Sequence, residues 1–546
     1  MVALAGDSYP GSILGMAKTL ICCSIPVDHP DDVELGLDRA RRASEDGARL
    51  VEWRVDGLAE DPEAPGLVRR LLEESPLPGI VTCRGEAEGG AWEGEPEDRL
   101  DLFRSIATAD PGPGYIDFEL ADYQADPTVR DSVDAVIATE GGPRLILSTH
   151  DLDGRPSDLM RRIADMGDAG ECSICKVVWQ ARSLRDNLEA FDLLRDRTKP
   201  MIALCMGEFG VMSRLLAPKF GGFLTFATLE SGEETAPGQP TIRELRALHR
   251  FDSIGANTRV YGIAGWPVHA SWSPLVHNAG FEQVGFDGVY VRMPIPPEWE
   301  HFKATIGAFL DHDGLDFSGM SVTMPHKEHL VRFVREAGGT LDRMSTICGA
   351  ANTLVVHEDG TLEALNTDAP AALDSLVETM GIEHEALADS RIAVLGAGGV
   401  ARAVVAALAS SGVEVVVVNR TRDRADRLVA DILEHVPDAR LTVGDADLLA
   451  SGGFDAFVNC TSVGAPTGPA PEASPLPEGV ALNDSITVFD TIYAEEPTPL
   501  VLEASSRGAR VATGESMFVH QARRQFHAWT GTEIPLGFFE QLLQPS

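Results

Sequence analysis

The sequence predicts an α/β protein in three parts: an N-terminal (β/α)8 TIM barrel, an α/β substrate domain and a Rossmann dinucleotide-binding domain. Three observations carry this. Eight short β-rich runs alternate with polar, helix-favouring stretches over about the first 230 residues. The alternation breaks at SGEETAPGQP (231–240) and resumes near residue 260. An apolar strand, a glycine turn, a helix and a second strand then follow in direct succession over 391–420.

The eight runs are Leu20–Pro26, Arg49–Val55, Gly79–Arg84, Tyr115–Leu120, Arg144–His150, Ile174–Trp179, Met201–Met206 and Phe223–Leu229. Stretches such as Ser183–Arg197 separate them and read as helices. Strand and helix in strict alternation imply a parallel sheet, and eight units imply a closed barrel. The barrel is placed at 16–250, with a helix-like stretch at 241–250 closing it. The substrate domain is placed at 258–370, with a C-terminal return at 515–546, and the Rossmann domain at 371–514.

Composition removes several classes of function. Hydrophobic residues make up 44% and charged residues 24%, which fits a globular protein and not a disordered, collagenous or coiled-coil one. Asp and Glu number 84 against 45 Lys and Arg, a formal charge of −39. Residues 1–250 hold 45 acids and 27 bases and the remainder 39 and 18, so no acidic tail explains the excess. Such a surface argues against nucleic acid or an anionic membrane as a partner. No run of 18 apolar residues predicts a membrane span, and the N-terminal stretch lacks the pattern of a signal peptide. The eight cysteines are no disulfide scaffold. Cys172 and Cys175 form a C-x-x-C with no second pair and no nearby His, and read as structural. A cytoplasmic protein without metal is expected; nothing in the sequence sets its oligomeric state.

Lysine is scarce: Lys18, Lys176, Lys199, Lys219, Lys303 and Lys327 are all there are, against 39 arginines. Arg stays protonated and cannot form an imine, whereas Lys can do both jobs. A lysine at or near a strand is therefore a candidate for chemistry.

In a (β/α)8 barrel the chemistry sits at the C-terminal ends of the strands. Here those ends carry Glu52, Arg54 and Asp56, then Arg84 and Glu88, Asp117 and Glu119, His150, and Lys176 inside ICKVVW. One charge in a strand is ordinarily a satisfied core ion pair. A set of this kind on five neighbouring strands points to a site. Burial and neighbouring cations favour the neutral amine of Lys176, which can attack a ketone to form a Schiff base. The protonated imine acidifies the adjacent carbon, and His150 can take that proton and deliver it to a leaving hydroxyl. The arginines imply an anionic substrate held through a carboxylate. An aldolase would also use a barrel lysine.

These residues resemble type I 3-dehydroquinate dehydratase. The matching stretches are Glu-Trp-Arg-Val-Asp (52–56), Thr-Cys-Arg with Glu-Gly-Gly (82–90), Ser-Thr-His-Asp (148–151), Lys176, Met-Gly with Ser-Arg (206–214) and Ala-Pro-Gly-Gln (236–239). The resemblance implies that Lys176 forms the Schiff base and His150 is the acid–base group. It also implies that Arg214 binds the substrate carboxylate, while Glu52, Arg54, Arg84 and Gln239 hold the ring hydroxyls and close the site. Thr235 stands where the family usually has Ser and keeps the hydroxyl. The Glu-x-Arg and Ala-Pro-Gly-Gln elements disfavour the aldolase reading.

In the second half, Gly396-Ala-Gly398-Gly399-Val-Ala401 fits G-x-G-x-x-A between a strand and a helix, the context that binds a pyrophosphate. At the end of the next strand, where an NAD binder carries an acid, stand Asn419, Arg420 and Thr421, with Arg424 beyond. Cations there suit a 2′-phosphate, so NADP(H) is the expected cofactor. Ser271 and Ser273 form a hydroxyl pair able to hold a carboxylate. Lys327, just past a strand, and Asp368 could shuttle the proton of one hydroxyl while hydride is exchanged with the nicotinamide.

Together with Met-Ser-Val-Thr-Met-Pro-His-Lys (320–327), Gly349–Thr353, Asn459-Cys-Thr-Ser462 and Gly514-Glu-Ser-Met, these residues resemble shikimate dehydrogenase. The resemblance implies substrate contacts from Ser271, Ser273, Thr323, Asn352 and Gln521, a cofactor contact from Thr461, and a catalytic pair of Lys327 and Asp368. Glu495 departs from the family's Pro two residues after Tyr493. The order of the halves resembles the fused enzyme of the shikimate pathway, which leads to the aromatic amino acids. It implies small-molecule substrates only: 3-dehydroquinate, 3-dehydroshikimate and shikimate. Two alternatives stand beside it. The second half could prefer quinate and NAD, or one half could be a degenerate binding module.

Overall fold

The computed structural model describes residues 18–466, 468–494 and 496–544; Glu495 lies outside them. The chain divides into two compact units, Met1–Thr258 and Arg259–Ser546.

The strands of the first unit are β1 (Leu20–Pro26), β2 (Leu50–Arg54), β3 (Gly79–Thr82), β4 (Tyr115–Glu119), β5 (Arg144–Asp151), β6 (Cys172–Gln180), β7 (Met201–Met206) and β8 (Leu224–Ala227). From β1 to β7 each strand pairs in parallel with its sequence neighbours, and β8 pairs with β1 rather than with β7. The ring is nearly closed: Phe223, entering β8, donates its N–H to the Met201 carbonyl of β7 at 2.8 Å. Inside, Ile80, Ile146, Ile202 and Leu204 form an apolar layer. Burying each of these is worth roughly 1.5–3 kcal/mol. That layer is the platform beneath the charged strand ends.

The predicted helix at 241–250 is present over 242–248, its part Glu244–Leu248 wound as one wide turn. Thr241 and Glu244 cap its start reciprocally. Arg250, in the left-handed region at φ 54°, ends it. Lys219, one of the lysines without a chemical role, is buried and donates to the Ala256 and Thr258 carbonyls at 2.8 Å each. It ties the last residues of this unit to the barrel.

The second unit contains two sheets. The first holds β9 (Arg259–Gly265), β10 (Gly288–Pro294), β11 (Phe317–Val322), β12 (Thr340–Leu341), β13 (Thr353–Val356) and β14 (Leu362–Leu365), in the order β10-β9-β11-β13-β14-β12. β13 runs antiparallel to both its neighbours. The second holds β15 (Arg391–Leu395), β16 (Glu414–Val418), β17 (Leu441–Val443), β18 (Ala456–Asn459), β19 (Thr487–Asp490) and β20 (Arg510–Thr513). All are parallel, in the order β17-β16-β15-β18-β19-β20, the Rossmann arrangement. The run Val415–Val417 is buried throughout, as a strand covered on both faces requires. The helix Gly514–Thr530 returns to the first sheet, where Trp529 donates its indole N–H to Leu354 O at 3.0 Å.

Candidate active sites

One cavity of the barrel is lined by Glu52, Arg54, Arg84, Glu88, His150, Lys176, Arg214, Thr235 and Gln239, all singled out from the sequence; Asp56, Asp117 and Glu119 are not in its lining. Strand alternation explains the convergence. Ile174, Lys176 and Val178 share the inward face of β6, so Lys176 continues the interior layer upward.

The ammonium of Lys176 is buried, 2.8 Å from Asp117 Oδ2 and 3.6 Å from Glu52 Oε1, with the Phe226 ring 4.5 Å away. Its direct partners are thus two carboxylates, where the sequence suggested cations. Glu52 is also engaged by the hydroxyls of Ser24 (2.6 Å) and Thr82 (3.0 Å), which makes it a partner of the lysine as much as a ligand for substrate. Asp117 accepts from Arg84 (2.6 Å) and from Ser148 (2.6 Å). Burial pushes the Asp117 carboxyl up, but Arg84 and Lys176 outweigh it and hold the group well below the usual carboxylate range. Charges this deep require such pairing, because an unpaired ion costs several kcal/mol.

His150 is oriented by Glu88. Oε2 of Glu88 accepts the backbone N–H of His150 at 2.9 Å and lies 2.8 Å from Nδ1. Nδ1 is thus committed to Glu88, and Nε2 is the ring nitrogen left for substrate. Burial, then Arg84 and Lys176, lower the His150 pKa well below 6.5; burial raises Glu88 to about 8. The imidazole is therefore neutral at neutral pH and able to act as a base.

Arg214 is buried, and no carboxylate lies within ion-pair distance of it among the described residues. Burial brings its pKa down to about 10. An uncompensated guanidinium in a cavity wall is a receptor for an anion. Across from it, Gln239 Oε1 accepts from the Thr235 amide (2.9 Å) and hydroxyl (3.2 Å). The hydroxyl that Thr235 retains thus helps orient Gln239. Gly238, at φ 78°, brings this loop so close to Gly207 that a Cβ would meet its carbonyl at 2.6 Å.

The residues whose part the sequence left unassigned are Asp117 and Glu88. Asp117 was visible as a polar residue inside a strand. Glu88 lies 62 positions from His150 in a short turn, and only the folded loop brings them together.

In the second unit, Lys327 begins the helix Lys327–Glu336 and Asp368 begins the helix Asp368–Met380. Their side chains meet at 2.6 Å, each partly accessible. Asn352 is fixed beside them: its Oδ1 accepts the Thr367 N–H (2.8 Å), and its Nδ2 donates to Thr367 Oγ1 (3.0 Å) and Gln521 Oε1 (3.4 Å). Behind it, Tyr290, Ser321 and Gln525 form a buried hydrogen-bonded chain, which the sequence did not suggest. Ser271 Oγ accepts the Ser273 N–H at 3.2 Å, linking the hydroxyl pair. Thr323 follows β11 and donates its N–H to Ala264 O at 2.9 Å. Tyr493 packs on Trp272 with ring centroids 5.1 Å apart. Burial raises its phenol pKa, and the charges of Lys327 and Asp368 both act on it, so it borders the pair.

The glycine turn fits a dinucleotide. Gly396 adopts φ 114°, and a Cβ there would meet the Cys460 carbonyl oxygen at 2.9 Å. At Gly398 and Gly399 a Cβ would meet nothing within 4 Å, so open space lies over the N-terminus of the helix Gly399–Ser410. Unpaired N–H groups there suit a pyrophosphate. Asn459 Oδ1 accepts both the N–H and the hydroxyl of Thr461 and shapes the facing loop. Asn419 Nδ2 donates to Thr421 O at 2.8 Å, closing the turn after β16. Arg420 and Arg424 are exposed and make no ion pair among the described residues, whereas Arg422 lies 3.9 Å from Asp426. Two uncommitted cations at that strand end fit a 2′-phosphate.

Comparison with known proteins places both sites in families. Residues 21–256 match the type I 3-dehydroquinase model. Residues 263–354 match the shikimate dehydrogenase substrate binding domain, 379–457 the shikimate/quinate 5-dehydrogenase family, and 514–544 the shikimate 5′-dehydrogenase C-terminal domain. A chloroplastic bifunctional 3-dehydroquinate dehydratase/shikimate dehydrogenase of Arabidopsis thaliana is 34% identical over 96% of this chain and 84% of its own length. A shikimate dehydrogenase (NADP(+)) of Paramagnetospirillum magneticum is 38% identical over 51% of this chain and 95% of its own. A solved dehydroquinate dehydratase and shikimate dehydrogenase from S. pombe is 25% identical over 96% of this chain and 98% of its own, with a TM-score of 0.43.

Proposed function

The chain belongs to the family of bifunctional 3-dehydroquinate dehydratase/shikimate dehydrogenases, and from that premise we propose how its residues divide the two reactions. The enzyme dehydrates 3-dehydroquinate to 3-dehydroshikimate and reduces that product to shikimate, two steps of the shikimate pathway.

In the barrel, Lys176 forms the imine with the substrate ketone and expels water. His150, neutral and held by Glu88, removes the proton from the carbon next to the imine through Nε2. The imidazolium then protonates the leaving hydroxyl, and hydrolysis of the imine frees the lysine. Asp117 and Glu52 stabilise the cationic nitrogen throughout. Arg214 takes the substrate carboxylate, and Glu52, Arg54, Arg84 and Gln239 hold the ring hydroxyls. The observation that carries this reading is the shared cavity of Lys176 and a neutral His150. Borohydride reduction in the presence of 3-dehydroquinate tests it: the adduct is expected on Lys176, and labelling at another lysine overturns the assignment.

In the second unit, Ser271 and Ser273 receive the carboxylate, and Thr323, Asn352 and Gln521 bind the ring hydroxyls. Lys327 donates the proton to the reduced oxygen, and Asp368, 2.6 Å away, holds and recharges it. The dinucleotide, when bound, supplies the hydride. Gly396, Gly398, Gly399 and Thr461 cradle its pyrophosphate, and Asn419, Arg420, Thr421 and Arg424 select NADP over NAD. Steady-state comparison of NADPH with NADH tests the choice; a preference for NADH would favour the quinate and NAD reading.

A further inference from the structure

Cys172 and Cys175 both lie on β6, the strand that carries Lys176. Three residues apart on a regular strand, they would face opposite sides of the sheet. They do not, because the register with β5 jumps from Leu145↔Cys172 to Ile146↔Ile174, which leaves Ser173 as an extra residue. This bulge turns Cys172 onto the same side as Cys175. Lys176 points into the barrel, so Cys175 points outward, and the two sulfurs meet at 3.9 Å. Both residues are nearly inaccessible, yet Cys175 lines a groove shared with Met160, Ile163, Leu193 and Lys199.

We propose that this pair is a redox modification site that governs the dehydratase: a hydroperoxide entering the groove oxidises it to a Cys172–Cys175 disulfide, and a dithiol reductant restores it. The Cys175 sulfur, which lines the groove, attacks the peroxide and becomes a sulfenic acid while the peroxide is reduced to water or an alcohol. The Cys172 thiol then displaces the hydroxyl as water and forms the S–S bond. Two thiols lose two electrons and two protons in all. The microenvironment suits the second step: the Cys175 thiol's hydrogen bond, the Leu147 amide and Lys199 together lower the Cys172 pKa despite burial, which favours its thiolate as the resolving nucleophile.

The consequence for catalysis follows from position. Sulfurs 3.9 Å apart must close to about 2 Å, and so buried a strand yields only by shifting its backbone. Cys175 is bonded to Lys176, whose ammonium sits 2.8 Å from Asp117; a displaced strand misaligns the nucleophile. The reductase lies in the other unit and has no share in β6.

The experiment treats the full chain with hydrogen peroxide, blocks free thiols, and follows both activities alongside mass spectrometry of the peptide holding Cys172 and Cys175. The expected result is a loss of 2 Da on that peptide, a fall of fivefold or more in dehydratase rate, unchanged reductase, and recovery with dithiothreitol. Cys172→Ser and Cys175→Ser should keep the untreated dehydratase rate and be insensitive to peroxide. The proposal is overturned if the 2 Da loss does not occur, if it occurs with the dehydratase unchanged, or if Cys175→Ser loses activity as the parent does. The arms on the parent chain need no variant to fold. They also leave the Schiff-base assignment untouched, since borohydride trapping on reduced enzyme tests that separately.

Discussion

The proposed chemistry rests on two lysines, and the structure gives them opposite settings. Lys176 projects from the middle of a barrel strand, its side chain 5% exposed, into a cage of Asp117, Glu52, Arg84 and Phe226. Lys327 stands at the start of a helix, its side chain 21% exposed, against the single carboxylate of Asp368. In the proposed dehydration the first bonds to substrate and holds it while protons move, so a closed, fully paired and rigid setting serves it. In the proposed reduction the second gives up a proton at each turnover and regains one from outside, which requires access to water. Strand interior and helix start are thus two solutions to two different demands on one residue type.

The contrast is broken most severely at Lys176. Lys176→Ala should lower the dehydratase rate on the order of 10⁵-fold, since the covalent route disappears, while reductase stays within about twofold of the parent. Separate assays of the two steps measure this, and a parallel fall in both would show that the sites are not independent.

His150→Ala should cost about 10²- to 10⁴-fold in dehydration alone. The parent's pH profile sharpens the point. Because burial, Arg84 and Lys176 disfavour the imidazolium, His150 stays neutral as pH falls through 6.5, and activity should persist there. The acid limb of the dehydratase kcat/KM should therefore lie below pH 6.5; a limb at or above it would contradict the assignment of His150 as a buried base.

For the exposed lysine, Lys327→Ala and Asp368→Asn should each cost about 10²- to 10³-fold in reductase kcat with dehydration intact. The smallest effect is expected at the rim. Arg420→Ala should weaken NADPH by about 10-fold, the worth of one exposed charge-assisted contact, and leave NADH unchanged. Equal losses for both nucleotides would show that Arg420 does not touch the 2′-phosphate.

Legibility differed between the halves for physical reasons. Barrel strands are short and buried, so a charge inside one stands out against its apolar neighbours, as Lys176 does in ICKVVW. Asp117 stood out in the same way, but its part as the lysine's partner depends on β4 and β6 lying on either side of β5 and turning both side chains to the same face. Glu88 was read as one of the charged set but not as the partner of His150, since turn residues are commonly acidic and the two are 62 positions apart. In the reductase, the chemistry of Lys327 and Asp368 allowed a proton-shuttling pair, but the resemblance was needed to single them out, because a loop Lys and a loop Asp are ordinary. The Tyr290–Ser321–Gln525 chain went unread: Gln525 arrives from a helix about 200 residues later in sequence than Ser321.

By itself, then, the sequence determined the alternation that makes a barrel, the glycine turn that admits a dinucleotide, and the two lysines where arginine would fail. These are local matters of period, backbone freedom and side-chain chemistry. The tertiary structure alone decided the pairing of His150 with Glu88, the carboxylate cage of Lys176, and the bulge that sets Cys172 beside Cys175. Each of these depends on distances between groups far apart in the chain or on strand register, and register is a property of the sheet rather than of any one strand.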